Sequence, residues 1–172
     1  MSRVIAVVLL FGGMLPAQAP ARPDANHLVA LFGPAFKHLP EFPILLGDLD
    51  SDGAEDAVLV ATGENPLFDE AQYHYKVIDP YNAYFGFADP KVTSQFAIPT
   101  GDKPRMILLV HDWRAPKLRF VVVNLPFDKL SLARVLVKKK VLPAIRAEEL
   151  SGMKSAIYWN GKKWKWQEQG VE

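Results

Sequence analysis

Short apolar runs, each closed by glycine, proline, asparagine or aspartate, divide this chain and limit its fold more than any other feature. Four of these runs are the clearest: residues 57–61, 94–98, 106–111 and 118–124. Runs of this length between turn residues are typical of β-strands. Residues 106–110 and 120–123 are almost continuously apolar, which predicts central strands covered on both faces. The sequence therefore predicts a mainly β protein.

The expected architecture is an antiparallel meander, comparable to one or two propeller blades, preceded by a short N-terminal helix. Asp24 would cap this helix, which would start at Ala25 and break at Gly33-Pro34. Residues 132–137 fit either a helix or a strand. A compact α+β fold is the alternative. With 172 residues the chain suits one domain with a core of its own.

The strongest local prediction is a hairpin near the C-terminus, in which residues 155–159 pair with 162–166 across Asn160-Gly161. Asn-Gly favours a two-residue turn because both central positions need a positive φ. This register places Trp164 opposite Ile157 and gives one face four large apolar side chains: Ile157, Trp159, Trp164 and Trp166. Such a face could bind carbohydrate, but packing against the core is its more common role.

An acidic stretch lies immediately before the first of these predicted strands. Every charged residue between positions 41 and 70 is acidic, and three aspartates alternate within it: Asp48, Asp50 and Asp52. Alternate side chains of a tightly curled loop converge on one centre, where carboxylates about 4 Å apart repel by roughly 1–4 kcal/mol per pair. A divalent cation turns this repulsion into attraction. Carboxylate oxygens are hard ligands, which favours calcium over zinc or copper and places magnesium second.

The residues that follow complete a predicted ion loop at positions 48–56. Gly53 allows a sharp turn, Ala54 would offer its backbone carbonyl, and Asp56 would close the site. An EF-hand is excluded because its twelfth loop position, which requires a bidentate glutamate, falls on Leu59, and because the loop enters a strand. The alternative is an acidic surface turn that binds no ion tightly.

The segment GDLDSDGAEDAVLV, residues 47–60, resembles the calcium-binding loop of FG-GAP repeats, as in integrin α-subunit propellers and related bacterial secreted proteins. That loop follows the pattern Asp-x-Asp-x-Asp-Gly-x-x-Asp and leads into an apolar strand. Five positions match: Asp48, Asp50, Asp52, Gly53 and Asp56. The resemblance implies ligation by the four aspartates and by the Ala54 carbonyl. Because there is a single copy, it implies the ion loop and not the propeller.

The first 21 residues have the pattern of a secretory signal peptide. Arg3 precedes an apolar run at 4–15 that is too short to span a bilayer, and small residues suit cleavage after Ala21. The predicted mature chain, residues 22–172, is a single secreted or periplasmic β-rich domain with one calcium loop and no membrane span. The sequence contains no cysteine, which excludes disulfides, thiol catalysis and thiolate metal sites.

The function expected from these features is that of an exported calcium-binding domain, whose mainly structural ion supports a surface for a protein or carbohydrate partner. A small secreted hydrolase using His111 and Asp112, at the end of a predicted central strand, is the alternative. No Gly-x-Ser-x-Gly or HExxH motif accompanies them, so no catalytic residue is assigned. The lysine-rich segments 138–140 and 162–165 predict a solvated sheet edge rather than a nucleic-acid site, because charge is balanced overall.

Overall fold

A computed structural model describes residues 22–80 and 104–169. The first range contains α1 (Ala25–Ala30), β1 (Lys37–His38), β2 (Leu45–Gly47), β3 (Asp56–Thr62), α2 (Glu70–Tyr73) and β4 (Lys76–Ile78). The second contains β5 (Arg105–His111), β6 (Arg119–Val123), β7 (Lys129–Val137), β8 (Lys140–Glu148), β9 (Lys154–Trp159) and β10 (Trp164–Gln169). The predicted signal peptide at 1–21 and the predicted strand at 94–98 lie outside the described residues.

These strands form two sheets. The first has the order β1-β3-β5-β6-β4, with β2 also paired to β3, and all of its pairs are antiparallel except β4 with β6. The second is an antiparallel meander in the order β10-β9-β8-β7. Neither sheet closes into a barrel over the described ranges. The mainly β class with a short N-terminal helix is therefore confirmed, and residues 132–137 belong to a strand.

The two central strands of the first sheet, β3 and β5, carry the core. Nearly every residue in both is buried, as their continuous apolar sequences predict. Val58, Ile107 and their neighbours on one face pack against the second sheet. Leu59 and Leu108, on the opposite face, pack beneath α1. Alternate side chains of each strand thus enter different apolar layers because successive residues point to opposite faces.

Helix α1 begins where the sequence predicts. The Asp24 carboxylate accepts hydrogen bonds from the backbone N–H groups of Asn26 (2.9 Å) and His27 (3.3 Å). The helix ends at Ala30, and Gly33 has a φ of 105° where the chain turns towards β1. Six residues are too few for a stable isolated helix, so packing against the first sheet must hold it in place. No helix within the described ranges is long and apolar enough to cross a membrane.

The C-terminal hairpin forms with a different register from the predicted one. Trp164 pairs with Trp159, and Trp166 pairs with Ile157. The predicted pairing of Trp164 with Ile157 is therefore wrong, and residues 160–163 form a four-residue connection. The observed register differs from the predicted one by two residues. Because this is an even number, the side chains of Ile157, Trp159, Trp164 and Trp166 still share one face. Trp164 is buried in the core between the sheets, and Trp159 and Trp166 are partly buried and pack against that core. The predicted core role of this face is therefore confirmed.

The side chain of Asn160 explains the longer connection. Its Oδ1 accepts hydrogen bonds from the backbone N–H groups of Lys162 and Lys163, each at 3.0 Å. Of the Asn-Gly pair, only Gly161 has a positive φ, 90°. A two-residue turn would need positive φ at both positions. The asparagine instead closes a wider turn with its side chain.

Tyr75 closes the apolar layer beneath α1. Its side chain is 1% exposed, and its hydroxyl donates a hydrogen bond to the Pro66 carbonyl at 2.6 Å. Burial, followed by the charges of Asp69 and Glu70, raises the pKa of Tyr75 to about 12. Each cause disfavours the phenolate, so this part of the core depends on a protonated tyrosine.

We expect the protein to lose stability between pH 10 and pH 12 because of Tyr75. The folded state holds the phenolic proton more tightly than the unfolded chain, whose tyrosine pKa is near 10. The stabilisation is fully present below pH 10 and is lost as the pH rises towards 12, by about 2.7 kcal/mol in total. Urea unfolding at several pH values measures this loss. Tyr75→Phe should reduce the slope across the window, and equal slopes in the two proteins would contradict the assignment.

Candidate metal centre

The acidic loop connects β2 to β3 at one end of the first sheet. Gly47 pairs with Asp56, so the hairpin brings the two ends of the loop together. Between them, Leu49 is 2% exposed and packs into the core between the two sheets. The loop is therefore attached to the core within its acidic segment as well as at its ends.

Backbone N–H groups curl this loop around its own carboxylates. Asp48 accepts hydrogen bonds from the N–H groups of Asp52 (3.2 Å) and Gly53 (3.1 Å). Asp50 accepts from the same Asp52 N–H at 3.3 Å, and Asp52 accepts from Ala54 N–H at 2.9 Å. Gly53 has a φ of 89°, and a Cβ there would meet no atom within 4 Å. The left-handed backbone, and not crowding, therefore favours glycine at this position.

The curl brings together the three alternating aspartates that the sequence singles out. Asp48, Asp50 and Asp52 each offer a carboxylate oxygen, and these oxygens lie within 4.8 Å of one another. A carboxylate oxygen can accept more than one interaction, so a hydrogen bond from the backbone leaves capacity for a cation. This acidic cluster could bind a metal ion.

Burial places an electrostatic cost on the ionised carboxylate of Asp50. Its side chain is only 4% exposed. Burial, and then the charges of Asp56 and Asp52, raise the pKa of Asp50, although His111 opposes them. The ionised carboxylate of Asp50 is thus disfavoured in the absence of a cation, and a bound cation would relieve that cost.

Asp56 connects the loop to two strands. Its side chain is 1% exposed; Oδ2 accepts a hydrogen bond from Leu49 N–H (2.8 Å) and Oδ1 accepts one from Asp112 N–H (3.0 Å). Burial acts to raise the pKa of Asp56, but the contact with His111 and these two backbone hydrogen bonds outweigh it, so the pKa is lowered. Asp56 is therefore a charged anchor at the point where the loop, β3 and the end of β5 meet.

The predicted ligands fall into two groups that share one residue. The first is the cluster of three alternating aspartates. The second combines Asp50 and Asp56 with His111. Ala54 donates its backbone N–H to Asp52, and the ligand role of the Ala54 carbonyl stays a prediction. Asp50 is the centre of the arrangement because it belongs to both groups.

The position of His111 beside the acidic loop is not predicted by the sequence. His111 lies at the end of β5 with its side chain 3% exposed. Its Nδ1 is 3.3 Å from Asp50 Oδ2 and 3.4 Å from Asp56 Oδ1. Neither distance is accompanied by hydrogen-bond geometry, and Nδ1 is buried without a hydrogen-bond partner among the described residues. Nε2 accepts a hydrogen bond from the Trp164 indole N–H at 2.8 Å.

The Trp164 hydrogen bond assigns the tautomer of His111. An indole N–H is only a donor, so Nε2 keeps its lone pair and the neutral ring carries its proton on Nδ1. To bind a metal through Nδ1, the ring would have to lose that proton. His111 is therefore better suited to orienting Asp50 and Asp56 than to ligating the ion. No sequence motif links these residues; the pairing of β3 with β5 and the packing of the two sheets bring them together.

This geometry also bears on the hydrolase hypothesis. Both ring nitrogens of His111 are enclosed by protein groups: Nε2 is hydrogen-bonded to Trp164, and Nδ1 is buried near the carboxylates of Asp50 and Asp56. A general base needs hydrogen-bond reach to its substrate. The backbone N–H of Asp112 is bonded to Asp56. The arrangement favours a positioning role for His111 over a catalytic one.

Two arginines supply counter-charge around the loop. Arg119 Nη2 lies 3.3 Å from Asp50 Oδ2 and 3.8 Å from Asp52 Oδ2, and its side chain is 58% exposed. Arg114 binds Glu55 at 2.8 Å, which ties the loop to the connection between β5 and β6. The Arg114–Glu55 and Arg119–Asp52 pairs are exposed at both partners and contribute little to stability. They offset only part of the repulsion among the clustered carboxylates.

Comparison of the chain with protein-family models, curated proteins and solved structures finds no match. Among the described residues, the feature that points most directly to a function is the convergent set of carboxylates, which is partly buried and attached to the core. The resemblance of residues 47–60 to an FG-GAP loop stays a prediction.

Proposed function

We propose that this chain is a calcium-binding domain of an exported protein, and that its ion is mainly structural. The observation that carries the proposal is the convergence of Asp48, Asp50 and Asp52 around one centre, with the Asp50 side chain almost fully buried. Such a group is costly without a cation because like charges and burial both oppose ionisation. A bound ion would convert that cost into a link between the loop and the core.

The donor set supports calcium as the ion. Calcium takes six to eight oxygen ligands in flexible geometry, and the loop offers carboxylate and backbone oxygens. Asp48 and Asp52 are exposed, which leaves coordination positions open to water. Magnesium requires a smaller and more regular shell and ranks second. Within the proposal, Asp56 closes the site and Ala54 adds its carbonyl, as in the FG-GAP loop that the segment resembles.

Calcium is expected to stabilise the purified protein. At a free concentration one hundred times the dissociation constant, the free energy of unfolding should rise by about 2.7 kcal/mol. For a domain of this size, the melting temperature should rise by roughly 5–10 °C. Titration calorimetry and thermal unfolding in calcium, in magnesium and in chelator measure the effect. The absence of both calcium-dependent heat and a melting shift would refute the proposal.

Export is the second part of the proposal and has its own test. It rests on the charged start, the short apolar run and the small residues within positions 1–21. Fusing these residues to a reporter should deliver a shortened reporter outside the cytoplasm. An unprocessed cytoplasmic reporter would remove export from the proposal and leave calcium binding unaffected. An extracellular or periplasmic site would also suit a surface for a protein or carbohydrate partner.

A further inference from the structure

A groove of about 990 Å³ opens beside the ion loop at one end of the second sheet. Asp50 of the ion loop borders it. The lining residues outside the ion loop belong to the β7–β8 hairpin and the β9–β10 hairpin, and they include strand residues as well as turn residues. The groove therefore lies where the ion loop meets the two most lysine-rich segments of the chain.

Positive charge dominates this groove. Four lysines line it: Lys138, Lys139, Lys140 and Lys165. None of them forms an ion pair with an acidic side chain of the described segments. Clustered ammonium groups that outnumber the single carboxylate lining the groove, that of Asp50, attract an anionic ligand and repel one another in its absence.

Lys138 occupies a backbone conformation that costs stability. Val137 pairs with Lys140, so the intervening turn has only two residues, and Lys138 has a φ of 57° there. Glycine and asparagine are preferred in the left-handed region of such turns. A lysine at this position holds a cation at the groove despite backbone strain, and strain of this kind is often found at binding sites.

Two tryptophans give the groove an apolar wall in a fixed position. Trp159 and Trp166 line it and are both partly buried against the core. The ring of Trp159 packs beside Trp164 at a centroid distance of 5.7 Å and beside His111 at 6.1 Å. Indole rings combine a large apolar surface with a polar edge, which suits ligands that are apolar on one face and polar at the rim. Sugar rings have this character.

We propose that this groove binds an anionic oligosaccharide whose sugar rings carry carboxylates. The lysines would neutralise the carboxylates, and the indoles would pack against the C–H faces of the rings. A calcium ion in the neighbouring loop would offer open coordination positions to a carboxylate or hydroxyl oxygen of the ligand. This last contact rests on the proposed calcium site; the lysine and indole contacts do not.

A saccharide fits the groove better than a single-stranded nucleic acid does. Nucleic acids bind along extended basic channels in which successive bases stack on exposed aromatic faces. Here the four lysines gather at one groove between two hairpins. We therefore treat binding of a nucleic acid as an outcome that would overturn the proposal.

The test is a titration of the full chain with tetragalacturonate, followed by tryptophan fluorescence and calorimetry, in calcium and in chelator. We expect saturable binding in calcium, weaker binding in chelator, and a further loss of affinity as salt concentration rises. Maltotetraose, which is neutral, should not bind. Failure of tetragalacturonate to bind in calcium would refute the proposal, as would equal or tighter binding of a thymidylate tetranucleotide.

Two single variants distinguish a loss of binding due to the missing charge from a loss due to impaired folding. Lys138→Gly should weaken tetragalacturonate binding by about threefold to fivefold, although relief of the backbone strain should raise its melting temperature. Lys76→Gln, on β4 of the other sheet, should bind like the wild type. Equal affinities of the wild type and Lys138→Gly would contradict the role of this lysine.

Calcium affinity, measured without saccharide, distinguishes the two proposals. Calcium binding without tetragalacturonate binding would refute the groove proposal and leave the ion proposal intact. Saccharide binding that is equal in calcium and chelator, with no calcium binding, would refute the ion proposal and support the lysine and indole contacts alone.

Discussion

Asp56→Ala is expected to lower the free energy of unfolding by about 3–5 kcal/mol, a large part of the 5–15 kcal/mol typical of a whole domain. The Asp56 carboxylate is 1% exposed, accepts hydrogen bonds from the N–H groups of Leu49 and Asp112, and lies beside His111. Alanine would leave two buried backbone donors without their acceptor and would remove the carboxylate that lies beside the buried His111. Urea unfolding in chelator measures this loss without any contribution from a bound ion.

Two further variants make this expectation specific to the carboxylate. Asp56→Asn keeps one acceptor oxygen and should cost less, roughly 1–3 kcal/mol. Glu64→Gln changes an exposed acid outside the site, and its effect should stay within about 0.5 kcal/mol. If Asp56→Ala unfolds within 1 kcal/mol of the wild type, the anchoring role of Asp56 is wrong.

Asp50→Asn is expected to weaken calcium binding by at least about a hundredfold. A unit charge about 4 Å from another contributes about 4 kcal/mol at an effective dielectric of 20, and the calcium ion carries two charges. In chelator the same variant should be at least as stable as the wild type. Burial and the charges of Asp56 and Asp52 raise the pKa of Asp50, so the ionised carboxylate opposes folding when no ion is bound.

Calorimetry and thermal unfolding of Asp50→Asn, each with and without calcium, measure these two effects. The wild type and the variant should reverse their order of stability when calcium is added. Glu64→Gln again provides the control, because an exposed acid outside the cluster should leave calcium affinity unchanged. Calcium affinity of Asp50→Asn within threefold of the wild type would show that Asp50 does not bind the ion.

The elements that could be predicted from the sequence are those whose structure depends on neighbouring residues in the chain. The apolar runs that became β3 and β5 are too continuous for strands with a solvated face, and both strands are buried on two sides. The Asp24 carboxylate caps the backbone N–H groups directly after it, so the start of α1 was also readable. The register of the C-terminal hairpin could not be predicted in this way, because it depends on whether the Asn160 side chain or a two-residue turn closes the connection.

The candidate metal site also has one part that local sequence predicts and one part that it does not. The curl of the loop arises from hydrogen bonds between close neighbours in sequence, so the alternation of Asp48, Asp50 and Asp52 predicted their convergence. The contacts of His111 and Trp164 depend on strand pairing and on the packing of two sheets. A single sequence carries no direct signal for such distant contacts. For this reason the sequence suggests only a catalytic role for His111.

The buried position of Leu49 between two acidic neighbours has a kinetic consequence. The loop cannot open fully without drawing this side chain out of the core, and exposing a leucine costs about 1.5–3 kcal/mol. An open loop would then be present in only about one molecule in ten to one in 150. An ion would therefore bind to carboxylates that are already in place. The rate of its dissociation would depend on motion of the core as well as on the exchange of water.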